Sequence, residues 1–356
     1  MGTGYCIFNF IIMNLIVDIS IPSPNKKINY QHPIMLVGSC FTEHIGNSLQ
    51  EMKFDTLQNP HGILFDPLSV ANSLVSYVQQ KHYNDNDLFY LNELWQSWQH
   101  HSVFSNMDKQ EALRTINASQ DKAHQFLQKA KWLVITLGSS FSYRLTPGPP
   151  PEREGSNLNS SFNGGGWKGS VANCHRAPAQ WFNKHLMSIE EINSILDNCM
   201  HQLFHFNPEL EIIFTVSPVR HIRDGVIENN RSKARLIEVV HHLTNKFERI
   251  HYFPAYELVI DVLRDYRFYD IDMVHPNYQA TEFVLEKFGQ HFIDESSQAI
   301  MQEVKKIVIA RKHKAFQPDT KAHKQFLQQH LEKVKQLKIK YPFLNLEEEV
   351  AIFARS

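Results

Sequence analysis

The sequence predicts an α/β fold: a three-layer α/β/α arrangement around a mostly parallel sheet, with a helical appendage at its C-terminal end. Two observations carry this. Four short, continuously apolar runs (Ile34–Val37, Trp132–Leu137, Ile212–Val216 and Ile250–Phe253) read as strands buried on both faces, and helical stretches separate them. Strands alternating with helices build parallel sheets covered on both sides. The third observation concerns chemistry. Cys40, Ser140, Arg220 and His275 all fall just after strands or a little beyond, the edge where such sheets gather their ligands.

The chain has 356 residues, enough for one large domain with an appendage and a sizeable core. Its formal net charge is −1 and its pI about 7.1, so no basic field points to nucleic acid or to an anionic membrane. Cys6, Cys40, Cys174 and Cys199 form no C-x-x-C pair and no disulfide-framework spacing, which fits a reducing cytoplasm. Tyr5–Val17 is strongly apolar, but no positive charge precedes it, no small-residue cleavage site follows, and it is too short to span a bilayer. Residues 1–12 are expected to be an upstream mis-start or a disordered extension, with a first edge strand within the run that begins at Met13. Neither secretion nor a membrane anchor is supported.

Ile34–Val37 runs into Gly38, Ser39 and Cys40, and Phe41, Ile45, Leu49 and Met52 then recur as one helix face. A glycine suits a sharp strand-to-helix turn. A thiol at a helix N-terminus meets unpaired N–H groups that favour the thiolate; a buried core cysteine is the plainer alternative. Asn59–Leu64 is a turn, and a helix starts near Pro67. Leu88–Trp98 with His100 and His101 is an aromatic and histidine-rich patch. Neighbouring histidines in a strand point to opposite faces, so pocket lining or surface is expected there, not a metal site.

Trp132–Leu137 ends in Gly138-Ser139-Ser140. Residues 146–170, rich in Pro, Gly, Ser and Asn, read as a flexible insertion. Asn173-Cys174-His175 follows, ahead of a helix-like Pro178–Leu186. Asn173 and His175 either face a pocket or cap that helix. Ile189–Phe206 is helical. Its His201 and His205 share a face, but Gln202 stands where a metalloprotease needs a glutamate and no third ligand is evident, so no metal is expected. Ile212–Val216 ends in Ser217-Pro218-Val219-Arg220-His221. The Arg220 guanidinium is suited to an acidic substrate group or to a nearby carboxylate. Helices over Asn229–Leu243 and Tyr256–Leu263 precede Asp272-Met273-Val274-His275-Pro276. A carboxylate three residues before an imidazole is able to bond one ring nitrogen and leave the other free to take a proton. The tail, rich in Lys, Gln and His, reads as helical with breaks at Gln317-Pro318 and Tyr341-Pro342.

Two of these stretches carry a family resemblance. Val37-Gly38-Ser39-Cys40-Phe41-Thr42 is similar to the first block of the SGNH, or GDSL-like, hydrolases, and Asp272–Pro276 to their last block, D-x-x-H-P. With G-S-C-F in place of G-D-S-L, the chain resembles the GSCFA family most closely, from about Ile34 to about Phe288. The resemblance implies that Cys40 takes the serine nucleophile's place and Ser39 the aspartate's. It makes Gly62 a candidate for the second-block glycine, whose N–H serves the oxyanion hole, though a plain turn glycine fits as well. Ser140 stands where the third block has an asparagine donor. Val171–His175 is similar to a stretch typical of the family, where Asn173 is a candidate for the missing amide donor and His175 for a substrate contact.

The expected function is ester hydrolysis or acyl transfer. Cys40 (or Ser39) attacks, His275 relays the proton, Asp272 orients it, and Gly62, Ser140, Asn173, His175, Arg220 and His221 bind the oxyanion or substrate. The substrate would be a small-molecule ester or acylated glycan, with no cofactor. The expected division is residues 1–33 as extension and edge strand, 34–290 as the hydrolase-like domain and 291–356 as the helical extension. A non-catalytic ligand- or glycan-binding module on the same fold, or a scaffold acting through the tail, are the alternatives.

Overall fold

The computed structural model describes residues 17–146 and 170–354. The reading of residues 1–12 lies outside them, as does nearly all of the insertion expected at 146–170. The chain forms β1 (Ile34–Gly38), α1 (Cys40–Glu51), β2 (Thr56–Gln58) and α2 (Pro67–Val78). A hairpin of β3 (Phe89–Leu91) and β4 (Leu94–Gln96) precedes α3 (Lys109–Lys129) and β5 (Trp132–Leu137). A small antiparallel sheet follows, made of β6 (Phe141–Leu145), β7 (Ser170–Val171) and β8 (Phe182–Leu186). The main layers resume with α4 (Ile189–Phe206), β9 (Glu211–Val216), α5 (Val226–Lys246) and β10 (Ile250–Tyr252). The short α6 (Ala255–Glu257) runs on as a π-helical turn, Leu258–Leu263. Last come α7 (Tyr278–Phe292), α8 (Glu295–Lys312), α9 (Lys321–Lys340) and α10 (Glu347–Phe353).

The central sheet has the order β10-β9-β5-β1-β2, and all of its pairings are parallel. Strand alternation sends Leu36, Val134 and Ile213 into one core and Val37, Ile135 and Phe214 into the other. The second core is closed by α2, α3, α4 and α5, through residues such as Leu74, Phe126, Leu196 and Leu236. The first is closed by α1, α7 and the tail helices, through Phe41, Ile45, Phe288, Val304, Leu337 and Phe353. Each such fully buried side chain contributes about 1.5–3 kcal/mol. The tail thus shares a core with α1. It is fastened there by Glu349, whose fully buried carboxylate meets Lys53 at 2.7 Å and Arg311 at 3.0 Å. The helix breaks at 313–320 and 341–346 contain the two expected X-Pro pairs.

Several local expectations are corrected. The edge strand expected in the run that begins at Met13 falls partly on residues 13–16, outside the described residues; the described residues 17–33 hold no strand and make one isolated bridge, Ile28 to Ile293. Pro178–Leu186 is not a helix but a 3₁₀ turn leading into β8, which pairs with β6 across five residues. Helix α5 starts at Val226, after Gly225 in a positive-φ conformation, three residues before the expected Asn229. Neither α3, whose N-cap Asp108 accepts from the Glu111 N–H, nor the β6–β8 sheet is anticipated by the sequence reading. Among the described residues no helix is long and apolar enough to cross a membrane, and Cys40, Cys174 and Cys199 are free thiols.

Candidate active site

Parallel strands bring all their carboxyl ends to one edge. At that edge β1 ends in Gly38, whose φ of +141° is closed to other residues; a Cβ there would lie 2.1 Å from Thr136 O. The Gly38 N–H donates to Asn59 Oδ1 at 2.9 Å, and the Ser39 N–H to Thr136 O at 3.1 Å. The chain is thereby locked to the neighbouring strand as it turns into α1. Ser39 is the N-cap of α1, buried, and its Oγ has no hydrogen-bond partner among the described residues. Cys40 is the first helical residue. It is half-buried, and its own N–H and that of Phe41 lie against the thiol.

Those N–H groups favour the thiolate, as expected of a helix N-terminus, but they do not prevail. Burial and then the Glu43 carboxylate raise the thiol above its ordinary value, against the N–H groups and Lys233. The depressed thiol read from the sequence is therefore corrected.

The Asp272–His275 segment folds back on itself. Asp272 Oδ2 meets His275 Nδ1 at 2.6 Å, while Oδ1 accepts from the N–H groups of Val274 (2.9 Å) and His275 (3.0 Å). The bond to His275, followed by the backbone N–H groups, holds the carboxyl down at about 2. Met273 takes a positive φ to close the turn. The loop is braced from β9: the Arg220 N–H donates to Val274 O at 3.1 Å, and the guanidinium lies 4.1 Å over the Tyr269 ring and 5.3 Å over Tyr266. His44, one turn on from Cys40 along α1, is within electrostatic reach of both His275 and Asp270. Among the described residues no hydrogen bond joins Cys40 Sγ to His275. The two are carried to the same edge, on different elements.

The remaining predicted residues divide. Gly62 is not a free oxyanion donor, because its N–H already donates to Asn59 O at 2.7 Å. Its positive φ and its contact with His101 make it a turn glycine. Ser140 is fully buried and also turned away: its N–H donates to Ser232 Oγ at 2.7 Å and its hydroxyl to Ser232 O at 3.1 Å. His175 is buried, with Nε2 2.7 Å from Ser97 O and its ring edge-on to Phe89, so it lines an aromatic cluster beside the hairpin. Asn173 caps a turn by accepting from the His175 N–H at 2.9 Å, and does not cap a helix. Arg220 braces the His275 loop through tyrosine rings and has no carboxylate partner among the described residues. His221 faces the edge, edge-on to Phe65 at 5.6 Å, and burial lowers it to about 4, so it is neutral at physiological pH. Neither member of the His100-His101 pair lies in a strand. His100 is buried and stacks on His61 with ring centroids 4.1 Å apart, whereas His101 is half-exposed and within reach of Glu43.

One buried charged side chain at this edge escaped the sequence reading. Lys233 is buried on α5, and its Nζ donates to Gly138 O and Ser217 O, just past the ends of β5 and β9. The available signal was its helical phase, in line with Leu236, Val240 and Leu243 on the apolar face. At the edge the N–H groups of Cys40 and Phe41 lie against the thiol at the start of α1, with an imidazole–carboxylate pair on the adjoining loop. Such an arrangement is suited to nucleophilic attack on a polarised carbonyl.

A model described as "GSCFA family" matches residues 33–288, and one described as "GSCFA domain protein, C-terminal domain" matches residues 304–356. No curated protein matches the chain. Among solved structures, a carbohydrate esterase family 3 from Talaromyces cellulolyticus superposes with a TM-score of 0.35 and 9% identity, covering 77% of this chain and 99% of that one.

Proposed function

The chain belongs to the GSCFA family, and from that premise we propose that it is an ester hydrolase or acyl transferase of the SGNH type with Cys40 as nucleophile. The observation that carries this reading is the shared edge: a thiol at the first position of α1 and a 2.6 Å Asp272–His275 pair, both beyond strand ends of one parallel sheet.

Cys40 Sγ attacks the ester carbonyl carbon, and His275 Nε2 takes the thiol proton. Asp272 accepts from Nδ1, which fixes the tautomer that leaves Nε2 basic. The carbonyl oxygen gathers negative charge against the N–H groups of Cys40 and Phe41, at the positive end of the α1 dipole. Collapse expels the alcohol, which receives its proton from His275, and leaves a thioester on Cys40. Water, or a second hydroxyl in a transferase, then attacks the thioester with His275 again as base. A distance between nucleophile and base that closes only around substrate is common in unliganded sites. The neutral His221 and the polar His44 and His101 around the edge suit a small-molecule ester or an acylated glycan.

The test is turnover of p-nitrophenyl acetate with intact-mass detection of the acyl-enzyme. The expected result is hydrolysis, with a transient acetyl adduct on Cys40 that disappears in Cys40→Ala. Neither turnover nor adduct at any pH from 6 to 9 would overturn the reading. It would favour a non-catalytic glycan-binding module, which the engaged Gly62 and Ser140 donors also fit.

A further inference from the structure

Helix α5 carries a lysine where its apolar stripe calls for a leucine. Lys233 is 1% exposed, yet its amine is not stranded: Nζ lies 2.6 Å from Gly138 O and 2.7 Å from Ser217 O. These carbonyls follow directly on β5 and β9, which are neighbours in the sheet. Gly138 is also what Ser39 packs against; a Cβ on Gly138 would lie 3.3 Å from the Ser39 Cβ. The amine therefore sits just under the turn that presents Cys40.

Counting donors shows what that placement permits. A neutral amine has two N–H groups and an ammonium has three. Two carbonyls take both N–H groups of the neutral form and leave the charged form one N–H in hand. The site thus holds either state, and the charge is free to follow its surroundings.

Those surroundings are few. Among the described residues no carboxylate pairs with Lys233. The Tyr256 ring lies 5.9 Å away, and His221, itself within reach, is neutral. Cys40 on α1 faces Lys233 electrostatically, with Glu43 and His44 on the same helix and Asp270, Asp272 and His275 on the loop beyond. Burial lowers the Lys233 amine to about 7, and the Cys40 charge is the opposing influence; Lys233 in turn lowers the thiol. The influence is mutual, as two coupled sites require.

We propose that Lys233 is the counter-ion of the Cys40 thiolate, a positioning residue that acts through Cys40 by holding a buried positive charge beneath the nucleophile's turn. This rests on Cys40 being the nucleophile. It adds to the Cys40 and Phe41 N–H groups a charge that opposes burial and Glu43, where among the described residues no hydrogen bond from His275 contributes.

The experiment is the pH–rate profile of Cys40 alkylation by iodoacetamide, read by peptide mass spectrometry on the full chain. Lys233→Met should move the inflection up by about one pH unit and slow alkylation at pH 7.5 about tenfold. Glu43→Gln should move it down. An inflection unmoved in a folded Lys233→Met protein overturns the proposal. Should that variant fail to fold, the wild type supplies the reciprocal measurement, the Lys233 titration followed by ¹³C NMR of ε-labelled lysine. Its midpoint should fall once Cys40 is carboxamidomethylated, and an unchanged midpoint overturns the pairing. Neither readout needs a substrate. A coupled pair without ester turnover would count against the hydrolase and leave the pairing standing, and turnover with an uncoupled pair would do the reverse.

Discussion

Cys40 stands on a turn whose neighbours Gly38, Ser39 and Phe41 are all buried, whereas His275 and Asp272 leave 44% and 45% of their side chains exposed. The thiol proposed as nucleophile is placed by the sheet itself, through strand register, a turn whose backbone only glycine adopts readily, and a helix seated in the core. The imidazole proposed as base is placed by a loop that satisfies mostly its own polar groups and leans on the end of β9 through Arg220. The thiol therefore has little room to move, and adjustment between the two falls to the loop.

The largest effect should come from disturbing the sheet side. Gly38→Ala forces a Cβ onto Thr136 O in a backbone conformation alanine resists, so a loss on the order of 3 kcal/mol or more is expected. Thermal melting measures it; a midpoint near that of wild type would mean that the turn is not locked, and the comparison would fail.

On the loop side the effect should fall on rate and not on stability. His275→Ala is expected to lower ester turnover by about 10²- to 10⁴-fold with an unchanged melting temperature, and Asp272→Asn by a smaller factor. Asp272 is held at about 2, below the ordinary carboxylate value of 3.8. Whatever the pair adds to the loop's stability is then complete above that ordinary value and is lost only as pH falls from about 4 toward 2. An acid limb in the rate profile above pH 4 would accordingly not be the ionisation of Asp272 itself. A loss of thermal stability between pH 6 and pH 4 that Asp272→Asn abolishes would show that the carboxylate titrates where it is expected to stay charged.

The smallest effect tests the brace. Arg220→Met removes the contact with the tyrosine rings, worth about 0.5–2 kcal/mol, and leaves the backbone bond to Val274. Turnover should fall by less than about tenfold while amide exchange at Val274 and His275 quickens. Unaltered exchange would remove Arg220 from the account of how the loop is held.

What could be read from the sequence follows the same division. β1, β5 and β9 were legible because burial on both faces writes a continuous apolar run. β8 was not, because Phe182-Asn183-Lys184-His185-Leu186 is half-solvated and its pairing with β6 is a long-range event with no local mark. Helix α3 hides a thin stripe (Ala112, Ile116, Ala123, Leu127) among many polar residues. The D-x-x-H spacing announced its own hydrogen bond because both partners lie within one turn. Gly62 and Ser140 stay open in the sequence for the opposite reason: their partners, Asn59 O and Ser232, depend on how the chain closes in space. Lys233 was passed over because lysines are seldom buried, and only the phase of its helix marked it.

The Glu349 carboxylate joins the last described helix to Lys53, just beyond α1. A ribosome releases α1 long before it releases α10, by an interval on the order of 15–60 s at ordinary elongation rates. Through that interval the face of α1 that carries Phe41, Ile45 and Leu49 lacks Leu337 and Phe353, and Lys53 lacks its buried partner. The thiol proposed as nucleophile thus stands on a helix whose buried face is completed only when translation has passed residue 353, so that a chain broken off early carries an unfinished, adhesive surface there.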